Sequence, residues 1–443
     1  MLTIAALITI LIVVGLLILD KVSPIAALCL VPVCAALAVG FSPEEITGFF
    51  DSGLSRVAGV ATMFIFAITF FGVLQDTGLF RPIIDGIIRV IDGNIVLVVI
   101  GTALVGMLAH LDGAGATTFL LTIPTLLPLY QRLGINPLLM LLVLATGAGI
   151  FNMLPWAGPL GRAAAVTGMD VSELWRPLIP VQIAGALCLV ALAALLGIRE
   201  QRRIAASGAP RATQCPGTSP HGDMSASPAD PPLHADPLLR PRNVLINALI
   251  FLSVIVALLS AILPAGLIFM LGLSVALIVN YPNVQDQMER IRSHAQPALL
   301  MGAIILSAGV FLGIMDGSGM LRAMSKSLVE VLPPALLPFL HILIGFFGLP
   351  LELVLSTDSY YFGLLPVVLE ITTPAGVSPQ GTVYALTIGN IIGTFISPFS
   401  PALWLALGLS GQSMSHHIRY SLPIMWCFSL ILFFFAWAIG LYI

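Results

Sequence analysis

The chain has 443 residues, of which 58% are hydrophobic and 9% are charged, and its formal net charge at pH 7 is −3. Soluble globular domains carry about 25% charged residues, so this composition excludes a water-soluble protein. The small net charge indicates no nucleic-acid partner. Apolar runs of about 20 residues, the length of a membrane-spanning helix, recur along the chain, and we expect a multi-pass protein of the inner membrane.

The first half, residues 1–198, contains three predicted spans, two apolar stretches interrupted by polar residues, and a final span. In chain order these are 2–20, 24–41, 56–76, the interrupted stretches 94–131 and 136–162, and 177–198. Glu44, Glu45 and Asp51 are predicted to lie in an external loop before the third span. An irregular polar backbone cannot face lipid, because its N–H and C=O groups would lack partners. We therefore predict that 94–131 is a re-entrant hairpin and 136–162 an unwound helix, both lining a cavity.

The central segment, residues 199–242, is rich in Pro, Ala, Ser and Arg. Such a segment cannot bury enough apolar surface to fold, so we predict a disordered linker. We place this linker in the cytoplasm, because most Lys and Arg residues of the chain then lie on the cytoplasmic side of the membrane.

The second half, residues 243–443, repeats the first at an offset of 240 to 243 residues. The clearest match aligns residues 71–81, FGVLQDTGLFR, with residues 312–322, LGIMDGSGMLR. The repeated elements are the spans 243–261, 264–280, 297–315 and 421–442, the hairpin 334–370 and the unwound helix 380–405. Each half then has five full spans and one re-entrant hairpin. Because five is odd, we predict an all-α polytopic fold of two inverted-topology repeats.

The two hairpin interruptions, called here the first tip (residues 110–118) and the second tip (residues 356–361), each combine hydroxyl groups with an aspartate. Glycine permits close approach of the backbone. Thr117 and Thr118 are predicted to cap the returning helix of the first tip, whose N-terminus suits a carboxylate, and the hydroxyl residues of the second tip are predicted to do the same. The candidate substrate-binding residues of the tips are Gly113, Gly115, Thr117, Thr118, Ser356, Thr357 and Ser359.

Asp112 and Asp358 are the candidates for coupling to a proton or cation and for contacting a metal bound to the substrate. A carboxylate at membrane depth costs several kcal/mol unless it is paired, which makes it a functional candidate by default. It can take up a proton or bind a hard cation, which prefers oxygen ligands. His110 is a further candidate for relaying a proton. The alternative for all three residues is a structural role in the turn.

The two unwound helices are interrupted at the first break (residues 152–162) and the second break (residues 393–401). Proline and glycine free backbone groups there, and those groups can bind a ligand or an ion. Arg162 suits bidentate recognition of a carboxylate, although it could instead snorkel to the interface. Small residues at the breaks could also serve helix packing. The candidates are Asn152, Arg162, Ser397 and Ser400 for the substrate and Asn390, one turn before the second break, for coupling.

Three motifs follow one another along the chain: HLDGAGATTFLLTIPTLLPLY at 110–130, NMLPWAGPLGRAA at 152–164 and LSTDSYYFGLLPV at 355–367. They resemble the CitMHS family of bacterial citrate–divalent metal:proton symporters, within the ion-transporter superfamily. The resemblance implies secondary active uptake of citrate complexed with Mg²⁺ or Ca²⁺, coupled to protons, across the bacterial inner membrane. It further implies a homodimer that works as an elevator, with both tips near the substrate or metal. Relatives are expected to have an acidic or polar residue in place of Ala114 and an asparagine in place of Thr357. These two differences leave undetermined which metal is bound.

The charges at the interruptions favour a metal complex over free citrate as the cargo. Citrate at neutral pH is largely a trianion, which a bound divalent metal reduces to about −1 and protons neutralise further. A carrier of the free trianion would need more basic residues at the interruptions than Arg162.

Other functions remain as alternatives. A sodium-coupled di- or tricarboxylate transporter of the same superfamily would use the same hydroxyl groups and freed carbonyls. A membrane-embedded hydrolase would need a nucleophile–base pair or an HExxH motif, and the sequence contains neither, so we do not expect an enzyme. A channel is disfavoured by the inverted halves. The five cysteines have no metal or redox spacing, and no covalent cofactor is expected.

Overall fold

The structure is a computed structural model that describes residues 1–19, 22–90, 93–206, 238–260 and 262–442. Within these ranges the chain forms α-helices joined by short 3-10 and π-helical turns, and it contains no strand. The helices before residue 207 are α1 (Leu2–Ile18), α2 (Pro24–Val39), α3 (Pro43–Asp76), α4 (Arg81–Val90), α5 (Ile95–Ala109), α6 (Gly115–Arg132), α7 (Pro137–Phe151), α8 (Gly158–Thr167), α9 (Val171–Trp175) and α10 (Ile179–Ala206).

The helices after residue 237 follow a closely similar order. They are α11 (Val244–Ser260), α12 (Ala265–Asn280), α13 (Val284–Gly317), α14 (Met320–Val331), α15 (Leu340–Phe346), α16 (Gly348–Leu351), α17 (Leu365–Thr372), α18 (Pro379–Ile391), α19 (Pro401–Ser410) and α20 (Met414–Ala438). By length and composition, six helical segments of the described chain can cross a membrane, and several shorter helices are apolar. The predicted all-α polytopic class is confirmed, while the inversion of the two halves stays a prediction.

Helix α3 begins much earlier than the predicted span at residue 56, and the prediction that Glu44, Glu45 and Asp51 lie in a loop is wrong. Ser42 Oγ accepts the Glu45 N–H at 3.3 Å, and Glu45 Oε2 accepts the Ser42 N–H at 2.8 Å. This reciprocal capping and the acidic first turn stabilise a polar helix start, which a search for apolar runs overlooks. Helix α13 likewise begins at Val284, well before the predicted start at 297.

The two longest helices, α3 and α13, have 34 residues each and pack against one another at the centre of the molecule. Glycines bring their backbones together: a Cβ atom on Gly53 would overlap the Gly309 carbonyl oxygen and would lie 2.8 Å from the Gly313 Cα. Helix α2 packs on α13, and its counterpart α12 packs on α3. In each half, the helix that precedes the long central helix therefore packs on the long helix of the other half.

The predicted linker at 199–242 is shorter in the structure at its start, because α10 continues to Ala206. Arg203 and Glu200 form an ion pair at 2.7 Å, and Glu200 Oε1 accepts the Asn136 N–H at 2.8 Å. These contacts fix the polar end of α10 to the start of α7. At the other side, a 3-10 turn at Pro241–Asn243 precedes α11. Residues 207–237, the greater part of the predicted linker, lie outside the described residues.

The interruptions fall within the segments where the sequence places them. The first hairpin comprises α5 and α6, joined by the 3-10 turn His110–Asp112. The second comprises α15 and α16, then the second tip, the π-helical turn Ser359–Leu364 and α17. The first break separates α7 from α8, and the second separates α18 from α19. Whether the hairpins are re-entrant in a bilayer stays a prediction.

Candidate functional site

Both tips and both breaks converge on one cavity of about 620 Å³. Four separate places in the chain, two from each half, therefore supply its wall. From these four places the lining residues are Gly113, Gly115, Asn152, Gly158, Pro159, Arg162, Ser356, Thr357, Asp358, Thr394, Phe395, Pro398, Phe399, Ser400 and Pro401; Leu17, Val22, Pro24, Met301 and Trp404 complete the wall.

The first tip is a turn that is closed by its own aspartate. Asp112 Oδ1 accepts the Ala114 N–H at 2.9 Å, and Asp112 Oδ2 accepts the hydroxyl of Thr117. Asp112 is buried and does not line the cavity. Both of its oxygens are thus engaged within the turn, an arrangement in which a short acidic side chain stabilises the local backbone.

The two glycines of the first tip allow close contact with the two breaks. Gly113 has a φ of +72°, and a Cβ atom there would lie 3.2 Å from Trp156 Cδ1 in the first break. At Gly115, a Cβ atom would lie 2.5 Å from Phe395 Cε1 in the second break. Larger residues at these positions would therefore push the tip away from the breaks.

His110 lies behind the cavity wall and connects the first tip to the first break. Its Nδ1 hydrogen-bonds to Thr118 Oγ1 at 2.8 Å, and its Nε2 hydrogen-bonds to Asn152 Oδ1 at 2.9 Å. The indole of Trp156 donates to the Leu111 carbonyl at 2.8 Å across the same contact. The prediction that Thr117 and Thr118 cap the returning helix is wrong, since α6 begins at Gly115 and neither hydroxyl accepts an N–H of its first turn; both oxygens lie 2.8–2.9 Å from the Ala114 carbonyl instead.

The second tip makes a direct ion pair with the first break. Arg162 Nε donates to Asp358 Oδ1 at 2.6 Å, with 9% and 14% of the two side chains exposed. The pair joins residues from opposite halves of the chain and lies in the cavity wall. Because a positive and a negative charge compensate each other there, the exposed wall of the site is nearly neutral.

Hydroxyl and amide groups order the rest of the second tip. Ser356 Oγ accepts the Ser359 N–H at 3.2 Å, which is the capping contact expected of a serine before a helical turn. Ser397 donates its hydroxyl to the Glu352 carbonyl at 2.6 Å, and Asn390 Nδ2 donates to Glu352 Oε1 at 2.7 Å. The second break and α18 therefore hold Glu352, the residue that leads into the second tip.

The structure separates the predicted site residues into two groups. Those that line the cavity are Gly113, Gly115, Asn152, Arg162, Ser356, Thr357, Asp358 and Ser400. Those that lie behind its wall, in contact with lining residues or with the tips, are His110, Asp112, Thr117, Thr118, Ser359, Asn390 and Ser397.

Sequence reasoning missed Glu352, which is completely buried behind the second tip. It also missed Phe395, Trp404 and Met301, whose apolar side chains line the cavity. The signal for Glu352 was present, because it is an isolated acid in the apolar arm GLPLELVLS, and an ionisable residue at membrane depth is a functional candidate. The aromatic and Met residues gave no comparable signal, since such residues occur throughout the apolar spans.

The donors and acceptors of the site suit an anion better than a resident metal. The wall offers a guanidinium, an amide, four hydroxyls and glycine backbone, with one carboxylate that is already paired. In the part of the chain that the structure describes, no three His, Cys, Asp or Glu side chains are grouped as metal ligands. A metal that enters this cavity would therefore bring most of its own ligands.

Comparison with known proteins places these features in a family. Residues 10–389 match the family model CitMHS, described as citrate transporter. A citrate transporter of Bacillus subtilis is 35% identical over 403 residues, which is 91% of this chain and 90% of that protein. The Mg(2+)/citrate complex secondary transporter of the same organism is 35% identical over 424 residues, 95% and 94% of the two chains.

A solved structure has a similar fold at low sequence identity. The YdaH transporter of Alcanivorax borkumensis, whose crystal structure revealed an unusual topology, superimposes with a TM-score of 0.57 and 16% identity. The match covers 91% of this chain and 89% of that one. At this identity the likeness concerns the fold alone.

Proposed function

Because the chain belongs to the CitMHS citrate transporter family, we propose that it takes up citrate as a complex with a divalent cation, Mg²⁺ or Ca²⁺, in symport with protons. The observation that carries this proposal is the convergence of both tips and both breaks on one cavity. The relative that transports a Mg(2+)/citrate complex supports the choice of cargo.

The charge of the cavity wall supports a metal complex rather than the free trianion. Arg162 and Asp358 together contribute no net charge, and the other lining residues are uncharged. A trianion in a nearly neutral, partly apolar cavity would lose its hydration without a compensating charge. With a divalent metal bound, citrate carries about −1, which hydroxyl groups and helix N-termini can stabilise.

The lining residues have distinct roles in this proposal. Arg162 binds a carboxylate of citrate through the guanidinium N–H groups that Asp358 does not occupy. Asp358 faces the substrate-bound metal and keeps Arg162 oriented. Asn152 donates and accepts hydrogen bonds, while Gly113 and Gly115 let the backbone approach the substrate. The hydroxyl ligands are Ser356, Thr357 and Ser400.

The residues behind the wall position these ligands. The pairing of His110 with Asn152 fixes the amide of Asn152, and the pairing of Asp112 with Thr117 shapes the first tip. Asn390 and Ser397 support the second tip through Glu352. We assign coupling to the second hairpin, which carries the acids next to the cavity, and a structural role to Asp112.

An elevator mechanism in a homodimer completes the proposal. The elements that build the cavity, α5–α8 and α15–α19, move together, whereas α3 and α13 with α2 and α12 form the frame. The close backbone contact between α3 and α13 supports a rigid frame. The apolar helices support a membrane protein, and the bacterial inner membrane is the location we propose.

Uptake of radiolabelled citrate by proteoliposomes tests the proposal. Citrate is offered with Mg²⁺, with Ca²⁺ or with a chelator, under an inward proton gradient or none, and with Na⁺ or choline as the monovalent cation. We expect saturable uptake that requires a divalent cation, rises with the proton gradient and does not change when choline replaces Na⁺. Protein-free liposomes give the background.

Two outcomes contradict the proposal in different ways. Equal uptake in the presence of the chelator would mean that free citrate is the cargo. Uptake driven by a Na⁺ gradient and indifferent to the proton gradient would establish the sodium-coupled alternative.

A further inference from the structure

Glu352 is the most deeply buried charged side chain among the described residues. It follows α16 and precedes the second tip, and none of its surface is exposed. Asp112, Arg162 and Glu200, the other buried charged residues, retain 6–8% exposure. A carboxyl group in this position has to be held by its neighbours or remain neutral.

One carboxyl oxygen of Glu352 accepts hydrogen bonds, whereas the other accepts none from the described residues. Oε1 accepts the Asn390 amide N–H at 2.7 Å and the Thr357 hydroxyl at 3.4 Å. Oε2 has no hydrogen-bond partner among the described residues. A fully ionised carboxylate would therefore keep half of its charge unpaired in a buried place, whereas the neutral acid avoids that charge.

The neighbours of Glu352 include two charged groups and two titratable hydroxyls. Arg162 of α8 and Asp358 of the second tip act on it electrostatically, and Tyr360 and Tyr361 lie on the π-helical turn beside it. Helix α18 and the second break contribute amide and hydroxyl groups, which do not titrate. Because the N–H and O–H groups at Oε1 are donors, the environment suits a carboxyl group better than it suits a bound metal ion.

We propose that Glu352, rather than Asp358, carries the co-transported proton. This inference rests on the proposed proton symport and names the residue responsible for it. Asp358 is unsuited to the task because the guanidinium of Arg162 already engages its carboxylate, at 2.6 Å. Glu352 has no such partner and alternates between the charged and the neutral form.

The proton reaches Glu352 from water in the cavity. Thr357 lines the cavity and contacts Glu352 Oε1, so its hydroxyl connects the carboxyl group to the cavity. In the loading step an O–H bond forms on Glu352 as one breaks in a hydronium ion or hydrated proton. The reverse transfer to water releases the proton on the other side of the membrane.

Coupling follows from the charge of the site. With Glu352 ionised, the local sum over Arg162, Asp358 and Glu352 is negative and opposes an anionic metal–citrate complex. Protonation of Glu352 makes the sum zero, so proton binding strengthens substrate binding. By linkage, the bound substrate strengthens proton binding to the same extent.

Glu352→Gln tests this assignment, because glutamine imitates the neutral acid and cannot exchange a proton. Purified protein is reconstituted, and Mg²⁺–citrate counterflow without a gradient is compared with accumulation driven by an inward proton gradient. We expect the variant to retain counterflow within about threefold of the wild type and to lose gradient-driven accumulation. The affinity of the variant for Mg²⁺–citrate should be the same at about pH 6 and about pH 8. The affinity of the wild type should fall about tenfold as the pH rises over the same range.

Glu370→Gln is the matched control, since Glu370 is a half-buried acid on α17 that does not line the cavity. It should accumulate citrate like the wild type. If Glu352→Gln does not yield folded protein, Glu352→Asp should shift the pH profile of uptake, and an unshifted profile would overturn the assignment. Calorimetry of Mg²⁺–citrate binding in buffers of different ionisation enthalpy should show uptake of about one proton by the wild type.

The outcomes separate this inference from the proposed function. Failure of the wild type to accumulate citrate under a proton gradient would refute proton symport itself, and the role of Glu352 with it. Accumulation by the wild type together with equal gradient-driven accumulation by Glu352→Gln would leave the proposed function standing and overturn the role of Glu352.

Discussion

The first tip and the second tip interrupt the hairpins of the two halves, yet they differ in how they use their aspartates. Asp112 directs both oxygens into its own turn, where they meet Ala114 and Thr117. Asp358 reaches across to Arg162 of the other half, at 2.6 Å. The aspartate of the first tip therefore makes only local hydrogen bonds, whereas the aspartate of the second tip forms an ion pair with another part of the site.

The two tips therefore contribute different chemical groups to the same site, although each interrupts the hairpin of its own half. The first tip contributes glycines that approach the two breaks closely, whereas the second contributes Asp358 to the ion pair and Thr357 to the contact with the buried Glu352. We therefore expect substitutions in the second tip and its partner to change substrate binding and coupling. Substitutions in the first tip should act through packing.

Arg162→Gln should have the largest effect on binding. The change removes the guanidinium of the wall and leaves the largely covered Asp358, 14% exposed, without its partner. Loss of one member of such a pair typically costs 2–5 kcal/mol, or about 30-fold or more in affinity. Equilibrium binding of radiolabelled citrate with Mg²⁺ in detergent measures it. Arg176→Gln is the matched control, because Arg176 is exposed in the 3-10 turn between α9 and α10 and does not line the cavity.

A double-mutant cycle sharpens the same expectation. Asp358→Asn combined with Arg162→Gln should lose less binding than the sum of the two single changes, because the pair acts as a unit. Additive losses would mean that the two residues contribute independently and that the ion pair does not organise the site.

Gly115→Ala should have an intermediate effect through packing. A Cβ atom at this position would lie 2.5 Å from Phe395 Cε1 and 2.9 Å from the Ala402 Cβ. Overpacking of this kind costs about 1–3 kcal/mol, which we expect as a lower unfolding temperature and about tenfold slower uptake. Thermal unfolding in detergent and initial uptake rates measure the two effects.

Gly408→Ala is the control for Gly115→Ala, since a Cβ atom there would meet nothing within 4 Å on α19. It should match or slightly exceed the stability of the wild type, because alanine favours a helix more than glycine does. Equal unfolding temperatures and uptake rates of Gly115→Ala and Gly408→Ala would contradict this expectation. The first tip could then move away from the second break without loss of stability or transport.

The sequence predicts the parts of this fold that depend on local composition. The apolar runs indicate the membrane portions of α3 and α13, and the glycine and proline clusters indicate where the hairpins and unwound helices are interrupted. The sequence does not predict where α3 begins, because the capping of Ser42 and Glu45 is independent of hydrophobicity. Helix ends outside the apolar runs are therefore the least predictable elements.

Contacts between distant residues are the part of the site that composition does not reveal. Arg162 and Asp358 were separate candidates, and only the packing of the two halves pairs them across 196 residues of sequence. The same packing buries Glu352, which lies outside the polar runs that identified the tips. Residue type indicates which side chains can bind a substrate or a proton. The three-dimensional contacts determine which acid is bonded within its own turn and which is free to exchange a proton.

Asp112→Asn should have the smallest effect and discriminates most directly between the two tips. An asparagine can still accept the Ala114 N–H and bond to the Thr117 hydroxyl, so we expect a loss of no more than about 1 kcal/mol of stability. The ratio of uptake with Mg²⁺ to uptake with Ca²⁺ should be that of the wild type. Asp112→Ala, which removes both bonds, should destabilise the tip further without altering that ratio. A changed preference for Mg²⁺ or Ca²⁺ in Asp112→Asn would place the first tip in contact with the metal, and the unequal division of chemistry between the halves would then be wrong.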